Sequence, residues 1–428
     1  MSVRLRIAVA ASILAGAAAR ADQPYFIGLG DLPGGRFASG AVDVSADGSV
    51  VVGSSNSRGG FANDAFIWTA ATGMIPLDPK HENIVSKAHA VSADGSTVVG
   101  IRNLGLGDPN SNPNAGPEAF RWTREEGMVG LGDLPNNRFW SSGIGVSRDG
   151  KMIVGFGSSG RAEDVEAMRW TPDGGMVGLG DFPGYDFVSV ALDITPDGSV
   201  VVGFGHSRNG NEAFRWTAGG LMEGIGDLPG LDFDSSAFAV STDGRVIVGY
   251  GRSENGTEAF RWTARTGMVG LGDMPGGNFQ SFSDGVSGKG GVVVGQGWSE
   301  RGQEAFIWDQ RHGIRALRDV LIDDYGLDVA RWRLVDANAM SDDGRTIVGG
   351  GWNPNGDAEA WLAFLGSDPC PADLNGDFEV NLADLRKLLR NFGTRSIGLP
   401  SMGDANHDGD IDLADLSMLL SAFGTSCP

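Results

Sequence analysis

Hydrophobic and polar positions along most of the chain follow short β-type runs that are separated by turn residues. In one repeat, the small residues of segment 236–240 precede an Asp-Gly turn at Asp243, and the apolar segment 246–249 follows it. A strictly alternating segment, 258–263, and a glycine-rich segment, 267–273, complete the repeat. Alternation indicates a half-buried strand, and a continuous apolar run indicates a strand buried on both faces. The pattern therefore predicts four short strands per repeat.

This pattern occurs seven times, with successive turns 46 to 55 residues apart. The turn residues are Asp47, Asp94, Asp149, Asp197, Asp243, Lys289 and Asp343. The tryptophans of the third strands are Trp68, Trp122, Trp170, Trp216, Trp262, Trp308 and Trp361. A period of this length, made of short strands, is typical of a β-propeller with one four-stranded blade per repeat. We therefore expect an all-β, seven-bladed β-propeller.

The two ends of the repeat region complement each other. The chain enters it with a lone fourth strand at residues 25–31, and the seventh repeat stops after its third strand at residues 359–363. If the N-terminal strand closes the last blade, the ring has 28 strands and no open sheet edge. We assign residues 22–365 to this closed propeller.

Composition limits the class of protein. The chain has 428 residues, 69 of them Gly, and a net charge of −21. This acidity argues against a nucleic-acid partner, because phosphates need a basic surface. After the N-terminus no apolar run is long enough to span a membrane.

The N-terminal residues 1–21 form a separate segment. They combine a basic start, a short apolar stretch and small residues before Asp22, which is typical of an export signal. The alternative is a first helix of the fold. The signal predicts a secreted protein that is extracellular or held at the cell surface.

Helical periodicity begins only after a short linker at residues 366–369, in a domain at residues 370–428. Two similar segments each place oxygen-bearing side chains at positions 1, 3, 5, 9 and 12 of a loop. With a backbone carbonyl at position 7, this is the EF-hand arrangement for Ca²⁺, and the alternative is two Asp-rich turns before two helices. The predicted ligands of two Ca²⁺ ions are Asp373, Asn375, Asp377, Glu379, Asn381 and Asp384 in the first loop and Asp404, Asn406, Asp408, Asp410, Asp412 and Asp415 in the second.

The two loops and their helices differ in one respect. Loop position 6 normally needs Gly for a sharp turn, and the first loop has Phe378 where the second has Gly409. We expect the first site to be the weaker one. Behind each loop an apolar helix face recurs, which we expect to be buried where the two units pack. Its residues are Leu385, Leu388, Leu389 and Phe392, and Leu416, Leu419, Leu420 and Phe423.

Cys370 and Cys427, the only two cysteines, flank this small domain. In an exported chain we expect them to form a disulfide. Two free thiols or an intermolecular bridge are the alternatives. A disulfide and bound Ca²⁺ would both stabilise a domain of this size, which has little room for a core.

Residues 368–428 resemble a type I dockerin. The matching residues are Cys-Pro-Ala-Asp-Leu-Asn-Gly at 370–376 and Gly-Thr-Ser-Cys at 424–427. The resemblance implies calcium binding and a partner that is a cohesin-like module or a cell-surface component. It also implies that loop positions 10 and 11 contact this partner. These are Leu382, Ala383, Leu413 and Ala414.

Residues 25–364 resemble the bacterial extracellular HAF-repeat family. The match lies in the Ala-Phe-x-Trp strand, as in residues 259–262, and in the Leu-Gly-rich segment that follows it. Glu or Asp stands where the family has His. The resemblance implies a secreted, propeller-like repeat protein without an established chemistry.

Residues that recur in every repeat are expected to build the repeat. A glycosidase needs one pair of carboxylates in one cleft. The recurring glutamates instead lie one per repeat, at Glu118, Glu166, Glu212, Glu258, Glu304 and Glu359. We expect no catalytic residue and interpret the chain as a secreted, non-catalytic binding or scaffold protein. One alternative is a glycoside hydrolase of polysaccharide catabolism with a catalytic propeller, and another is structural envelope material. Carbohydrate is a further candidate ligand, at the segments 76–86, 104–117 and 319–332 that interrupt the repeats.

Overall fold

The structure, a computed structural model, describes most of the repeat region and of the C-terminal domain. The described residues are 23–57, 63–78, 85–103, 116–135, 139–158, 165–183, 187–230, 232–366, 370–375, 377, 379–394, 403–405 and 410–427. The predicted export signal at residues 1–21, most of the linker and most of the segment 104–117 lie outside them.

Twenty-eight strands are described, and all lie between residues 25 and 364. The chain begins with β1 (Tyr25–Gly28). The first three repeats contain β2 (Ser39–Val44), β3 (Val50–Asn56), β4 (Asn63–Thr69), β5 (Gly73–Pro76), β6 (Val85–Val91), β7 (Thr97–Asn103), β8 (Glu118–Thr123), β9 (Gly127–Gly130), β10 (Ser141–Val146), β11 (Ile153–Ser158), β12 (Val165–Thr171) and β13 (Gly175–Gly180). The last four contain β14 (Ser189–Ile194), β15 (Val200–Ser207), β16 (Gly210–Thr217), β17 (Glu223–Gly226), β18 (Ser236–Val240), β19 (Val246–Ser253), β20 (Gly256–Thr263), β21 (Gly267–Gly270), β22 (Gly276–Val286), β23 (Val292–Ser299), β24 (Gly302–Asp309), β25 (Gly313–Ala316), β26 (Arg333–Met340), β27 (Thr346–Trp352) and β28 (Ala358–Phe364).

The strands form four-stranded antiparallel units in which chain neighbours are sheet neighbours, except where β1 pairs with β28. The units of the fifth and sixth repeats are joined into one larger sheet by a single parallel pair, Thr257 with Gln280. Each unit packs against the next one, and the unit of the seventh repeat packs against that of the first. The fold of residues 25–364 is a β-propeller.

The turn between the first and second strands needs glycine in every repeat. Its glycine lies in the left-handed region, which favours a residue without a Cβ atom. The φ angle lies between 65° and 73° in Gly48, Gly95, Gly150, Gly198, Gly244, Gly290 and Gly344. The Asp-Gly pattern thus marks the turns, as the sequence predicts.

Strand β1 pairs with β28, which confirms the predicted pairing of the two ends of the repeat region. The pairing is antiparallel, with Tyr25 opposite Phe364 and Gly28 opposite Trp361. Beyond β1, Leu29 is buried in a hydrophobic cluster that contains residues of both the seventh and the first repeat. The N-terminal strand therefore holds the last unit against the first one.

A cavity on the axis of the ring is lined by all seven repeats. The equivalent lining residues are Val44, Val91, Val146, Ile194, Val240, Val286 and Met340. Two positions earlier, the first strand of every repeat carries a register shift, and a bulge of this kind re-aims a side chain. The residues at this shift are Val42, His89, Ile144, Leu192, Phe238, Asp284 and Asn338. The innermost strands thus share one backbone irregularity while their side chains differ.

The segment 319–332, a candidate carbohydrate site, is partly helical and partly buried. Most of helix α1 (Leu317–Asp323) lies within it, and Leu317 and Leu321 are fully buried. The ring of Trp332 packs edge-on against Phe26, with centroids 5.1 Å apart. The apolar side chains of this candidate binding segment therefore form part of the core beside β1, while Asp323, Asp324 and Arg331 are exposed.

The C-terminal domain is built from two similar loop-helix units. Helices α2 (Leu382–Asn391) and α3 (Leu413–Ala422) each begin with a capping box. The loops cross over: Val380 donates its N–H to the carbonyl of Thr425, which follows α3. Reciprocally, Ile411 of the second loop donates to Thr394, which follows α2. Each loop is therefore held by the end of the other unit.

A disulfide joins Cys370 to Cys427 across this domain, with the Cα atoms 5.6 Å apart. Among the described residues, no helix combines the length and the hydrophobicity that crossing a membrane would need.

Candidate metal centre

Three carboxylates of the first C-terminal loop converge on one point. Oxygen atoms of Asp373, Asp377 and Asp384 all lie within 4.8 Å of one another. Asp373 and Asp384 are buried, with exposures of 7% and 0%. Asp384 is held in place by the backbone N–H groups of Asn375 and Asn381, at 3.1 and 2.9 Å. The first and last predicted ligand positions of this loop are therefore brought together.

The remaining predicted ligands of the first loop lie around this centre. Asn375 donates a side-chain hydrogen bond to Asp377 at 2.8 Å, and the backbone of Glu379 donates to Asp377 at 3.0 Å. The side-chain oxygen of Asn381 accepts the N–H of Ala383 at 2.8 Å and caps helix α2. Asn375 thus contacts the acidic cluster through its side chain and Glu379 through its backbone, whereas the side-chain oxygen of Asn381 caps the helix instead.

The second loop has the same framework in its described part. Asp404 and Asp415 are buried, at 2% and 0% exposure. Asp415 accepts the N–H of Ala405 at 2.7 Å and that of Asp412 at 2.8 Å, as Asp384 does with its own loop. Asp410 is exposed, and Asp412 caps helix α3. The predicted ligands Asn406 and Asp408 lie outside the described residues, as do Phe378 and Gly409.

The donor set of the first loop fits a hard cation. Its potential ligands are carboxylate, amide and carbonyl oxygens, which Ca²⁺ and Mg²⁺ prefer over nitrogen or sulfur. Several acidic groups forced into one small volume repel one another, and a bound cation removes that repulsion. Ca²⁺ accepts more oxygens and a less regular geometry than Mg²⁺ does.

Both helices of the C-terminal domain expose apolar residues. They form three pairs of equivalent residues: Leu382 and Leu413, Leu389 and Leu420, and Phe392 and Phe423. Their exposures range from 40% to 71%. We call these six residues the apolar face.

The apolar face corrects one expectation. Leu388 and Leu419 are fully buried, as predicted, but Leu389, Leu420 and both phenylalanines are exposed. Adjacent helix positions point about 100° apart, so a Leu-Leu pair cannot turn both side chains to the same core. Because the small domain buries only one side of each helix, the second leucine of each pair faces outward.

The predicted partner contacts lie at the first turn of each helix, and so at opposite ends of the helix pair, because each loop pairs with the segment that follows the other helix. Leu382 and Leu413 are 58% and 71% exposed, and Ala383 and Ala414 are exposed beside them. The four residues occupy the first turn of α2 or α3, immediately after the N-cap. The sequence pattern did not predict that the leucines and phenylalanines further along the helices are exposed. The feature that could have indicated it is the spacing i, i+7 and i+10, which recurs in both units.

The cavity on the axis of the propeller, which we call the channel, also contains carboxylates that link neighbouring repeats. Asp43 accepts the N–H of Val91, and Asp193 accepts that of Val240, both at 2.8 Å. Burial raises the pKa of both aspartates to about 7. Each carboxylate therefore fastens the first strand of its repeat to that of a following repeat.

A further contact crosses the channel at its turn end. Asp342 of the seventh repeat accepts the hydroxyl of Thr242 from the fifth repeat at 3.1 Å. The Arg148 guanidinium of the third repeat lies 3.8 Å from the same carboxylate. Burial raises the pKa of Asp342 to about 6, while Arg148 opposes the shift. These three side chains connect repeats that are not neighbours in the ring.

No protein-family model matches this chain, and no curated protein matches it. Among solved structures it is similar to TolB from Acinetobacter baumannii, with 12% identity and a TM-score of 0.42 over 76% of this chain and 65% of that one. This chain thus spans just under two thirds of that TolB chain. It is also similar to the β-propeller domain of the Trilobed protease from Pyrococcus furiosus, with 13% identity and a TM-score of 0.48 over 80% and 93% of the two chains. It is likewise similar to oligogalacturonate lyase from Vibrio parahaemolyticus, with 10% identity and a TM-score of 0.47 over 76% of this chain and 88% of that one. The β-propeller assignment follows from the sheet topology of this chain itself.

Proposed function

We propose that this chain is a secreted, non-catalytic protein in which a seven-bladed propeller is attached to a partner through a calcium-dependent C-terminal module. The observation that carries the proposal is the position of the acidic cluster, directly at the start of a helix that exposes Leu382. Metal binding would fix the loop that ends at Asp384 and so orient the apolar face. The same arrangement of loop and helix recurs at Asp415 and Leu413.

The proposed partner is a protein with a complementary apolar surface. Exposed leucine and phenylalanine side chains on a small domain favour burial against another protein. The resemblance of residues 368–428 to type I dockerins makes a cohesin-like module or a cell-surface component the first candidate. The proposed metal is Ca²⁺, with one ion in each loop.

Binding of the intact protein to a panel of cohesin-like modules, with calcium and with chelator, tests this proposal. We expect binding only with calcium. Joint substitution of Leu382→Asp and Leu413→Asp should weaken binding about tenfold or more, because two charges would replace apolar side chains that the partner buries in the complex. Leu221→Asp is the matched control, since Leu221 is 85% exposed but belongs to the propeller. Equal binding with chelator, or equal loss in the control, would rule the proposal out.

Among the described residues, the recurring glutamates do not favour the alternative of a catalytic propeller. A glycosidase needs two free carboxylates in one cleft. In four repeats the recurring glutamate instead accepts a backbone N–H from a glycine at or just beyond the end of the fourth strand. The acceptors are Glu118, Glu166, Glu258 and Glu359.

A further inference from the structure

The sixth repeat departs from the other six at its first turn. Six repeats have Asp there, and the sixth has Lys289. In the fifth repeat the turn aspartate, Asp243, accepts hydrogen bonds from Ser241 and from the backbone of Arg245. A lysine cannot accept these bonds. The turn of the sixth repeat keeps its glycine and its backbone bonds, so the lysine is not needed to form the turn.

Lys289 contacts the C-terminal domain instead. Its ammonium donates a hydrogen bond to the backbone carbonyl of Asp373 at 2.6 Å. From the neighbouring turn of the same repeat, Arg311 donates to the backbone carbonyl of Cys427 at 3.2 Å. Hydrogen bonds from charged donors are the stronger ones, and two of them from separate turns fix an orientation as well as a contact.

Both acceptors belong to one rigid corner of the C-terminal domain. The disulfide ties Cys427 to Cys370, and the N–H of Asp373 donates to the Cys370 carbonyl at 3.0 Å. The sulfur of Cys427 lies 3.8 Å from the Asp373 carboxylate. Because this corner is covalently closed, the two basic side chains bind carbonyls whose positions are already set.

Helix α2 lies close to the same turns. Lys387 donates to the carbonyl of Leu374 at 2.9 Å. Its pKa is lowered by burial, with Asp243 opposing and Lys289 and Arg245 adding to the shift. Lys387 is therefore within electrostatic range of the turns of the fifth and sixth repeats.

We propose that the turn face of the sixth repeat is a docking surface for the chain's own C-terminal domain, held mainly by Lys289 and Arg311. The docked position leaves the apolar face uncovered, because its residues stay exposed while these contacts form. Lys387 and Leu389 point about 200° apart on helix α2, so one side of the helix meets the propeller and the other faces outward. The domain is thus carried in a fixed orientation. This inference depends neither on calcium nor on an outside partner.

Crosslinking of the intact protein with an amine-reactive reagent, followed by mass spectrometry, tests the docking surface. We expect a link between Lys289 and Lys387. Lys151, on the first turn of the third repeat, should give no comparable link to Lys387. Arg311→Glu keeps all three lysines and should reduce the Lys289–Lys387 link about fivefold or more. It replaces the donor by a carboxylate, which repels the carbonyl oxygen of Cys427.

Arg265→Glu is the matched control, because Arg265 is exposed at the equivalent turn position of the fifth repeat. It should leave the link unchanged, and both variants should melt with the wild-type propeller transition. The inference is overturned if the wild-type protein gives no Lys289–Lys387 link. It is also overturned if Lys151 links to Lys387 equally well, or if Arg311→Glu and Arg265→Glu behave alike.

Discussion

The carboxylate of Glu359 accepts a hydrogen bond from the backbone N–H of Gly30, at 3.0 Å, and so joins the last strand of the propeller to the segment after the first. Three other repeats make the same bond within one continuous sheet. The pairs are Glu118 with Gly132, Glu166 with Gly180, and Glu258 with Gly272. The hydrogen bond that joins the two ends of the repeat region is therefore equivalent to the bond that holds the fourth strand in three other repeats.

Substitution of Glu359→Ala should loosen strand β1 specifically. The buried side chain of Asn353 donates to the same carboxylate at 2.7 Å. The change therefore leaves two donors, this amide and the Gly30 N–H, without their acceptor. Losing such bonds costs about 1–3 kcal/mol. We expect amide exchange of β1 to rise about tenfold or more, as measured by hydrogen–deuterium exchange. Glu166→Ala is the control, because β13 stays connected to β12 by a short turn. Unchanged protection of β1 in Glu359→Ala would contradict this role.

Removal of residues 22–35 should have a larger effect. It deletes β1 and exposes the edge of β28, whose unpaired N–H and C=O groups can pair with another chain. We expect the shortened protein to aggregate, or to melt well below the intact one, in light scattering and calorimetry. A monomer with an unchanged melting temperature would show that β1 does not hold the ring together.

The repeat architecture was predictable because the same physical requirement recurs in every repeat. Each turn needs a left-handed glycine, so Gly48 and its six counterparts mark the turns in the sequence. The recurrence of Glu166 and Glu258 also indicated a structural role correctly. Chain-end pairing followed from the missing fourth strand of the last repeat. Periodicity reveals contacts that every repeat makes.

Contacts made once could not be read from the same pattern. The bond from Lys289 to Asp373 joins distant parts of the chain, and its only trace was one lysine among six aspartates. The bridge from Arg148 to Asp342 likewise depends on which repeats face each other across the channel. Exposure of Leu389 beside buried Leu388 depends on how much of each helix a small domain can cover.

Buried carboxyl groups in the channel and on the first strand of the sixth repeat predict a dependence of stability on pH. Burial raises the pKa of Asp284 to about 8, with the charge of Asp336 adding to the shift and a hydrogen bond from Gln296 opposing it. Burial also raises the pKa of Asp43 and of Asp193 to about 7 and that of Asp342 to about 6. Groups whose pKa is raised by folding stabilise the protein below their unfolded pKa, and this contribution is lost as pH rises through the folded pKa.

We therefore expect the free energy of unfolding of the propeller to fall between about pH 5 and pH 8. His89 acts in the opposite direction, because burial lowers its pKa, but it is one group against four carboxyls. Asp284→Asn should flatten the pH profile in denaturant titrations, since it removes one of the shifted groups. The exposed Asp149→Asn is the control. Stability that is constant or rises over this range would refute the assignment.

Reduction and chelation should affect the C-terminal domain differently. The disulfide closes a loop with a sequence separation of 57 and restricts the unfolded chain, which is worth about 4 kcal/mol in the chain-entropy model. Reduction with calcium present should lower the melting temperature of this domain yet leave partner binding largely intact. Chelation of the oxidised protein should abolish partner binding while much of the helix content remains in circular dichroism. Full partner binding after chelation would show that attachment is independent of the metal.

We propose that two calcium-filled loops orient the apolar face, and calorimetric titration of the intact protein with Ca²⁺ measures their filling. We expect two binding events. Asp384→Asn should remove one and Asp415→Asn the other, because each residue closes its own loop. The first loop, which has Phe378 at the turn position, should supply the weaker event. No binding at millimolar calcium, or two events that survive in the double variant, would contradict the account.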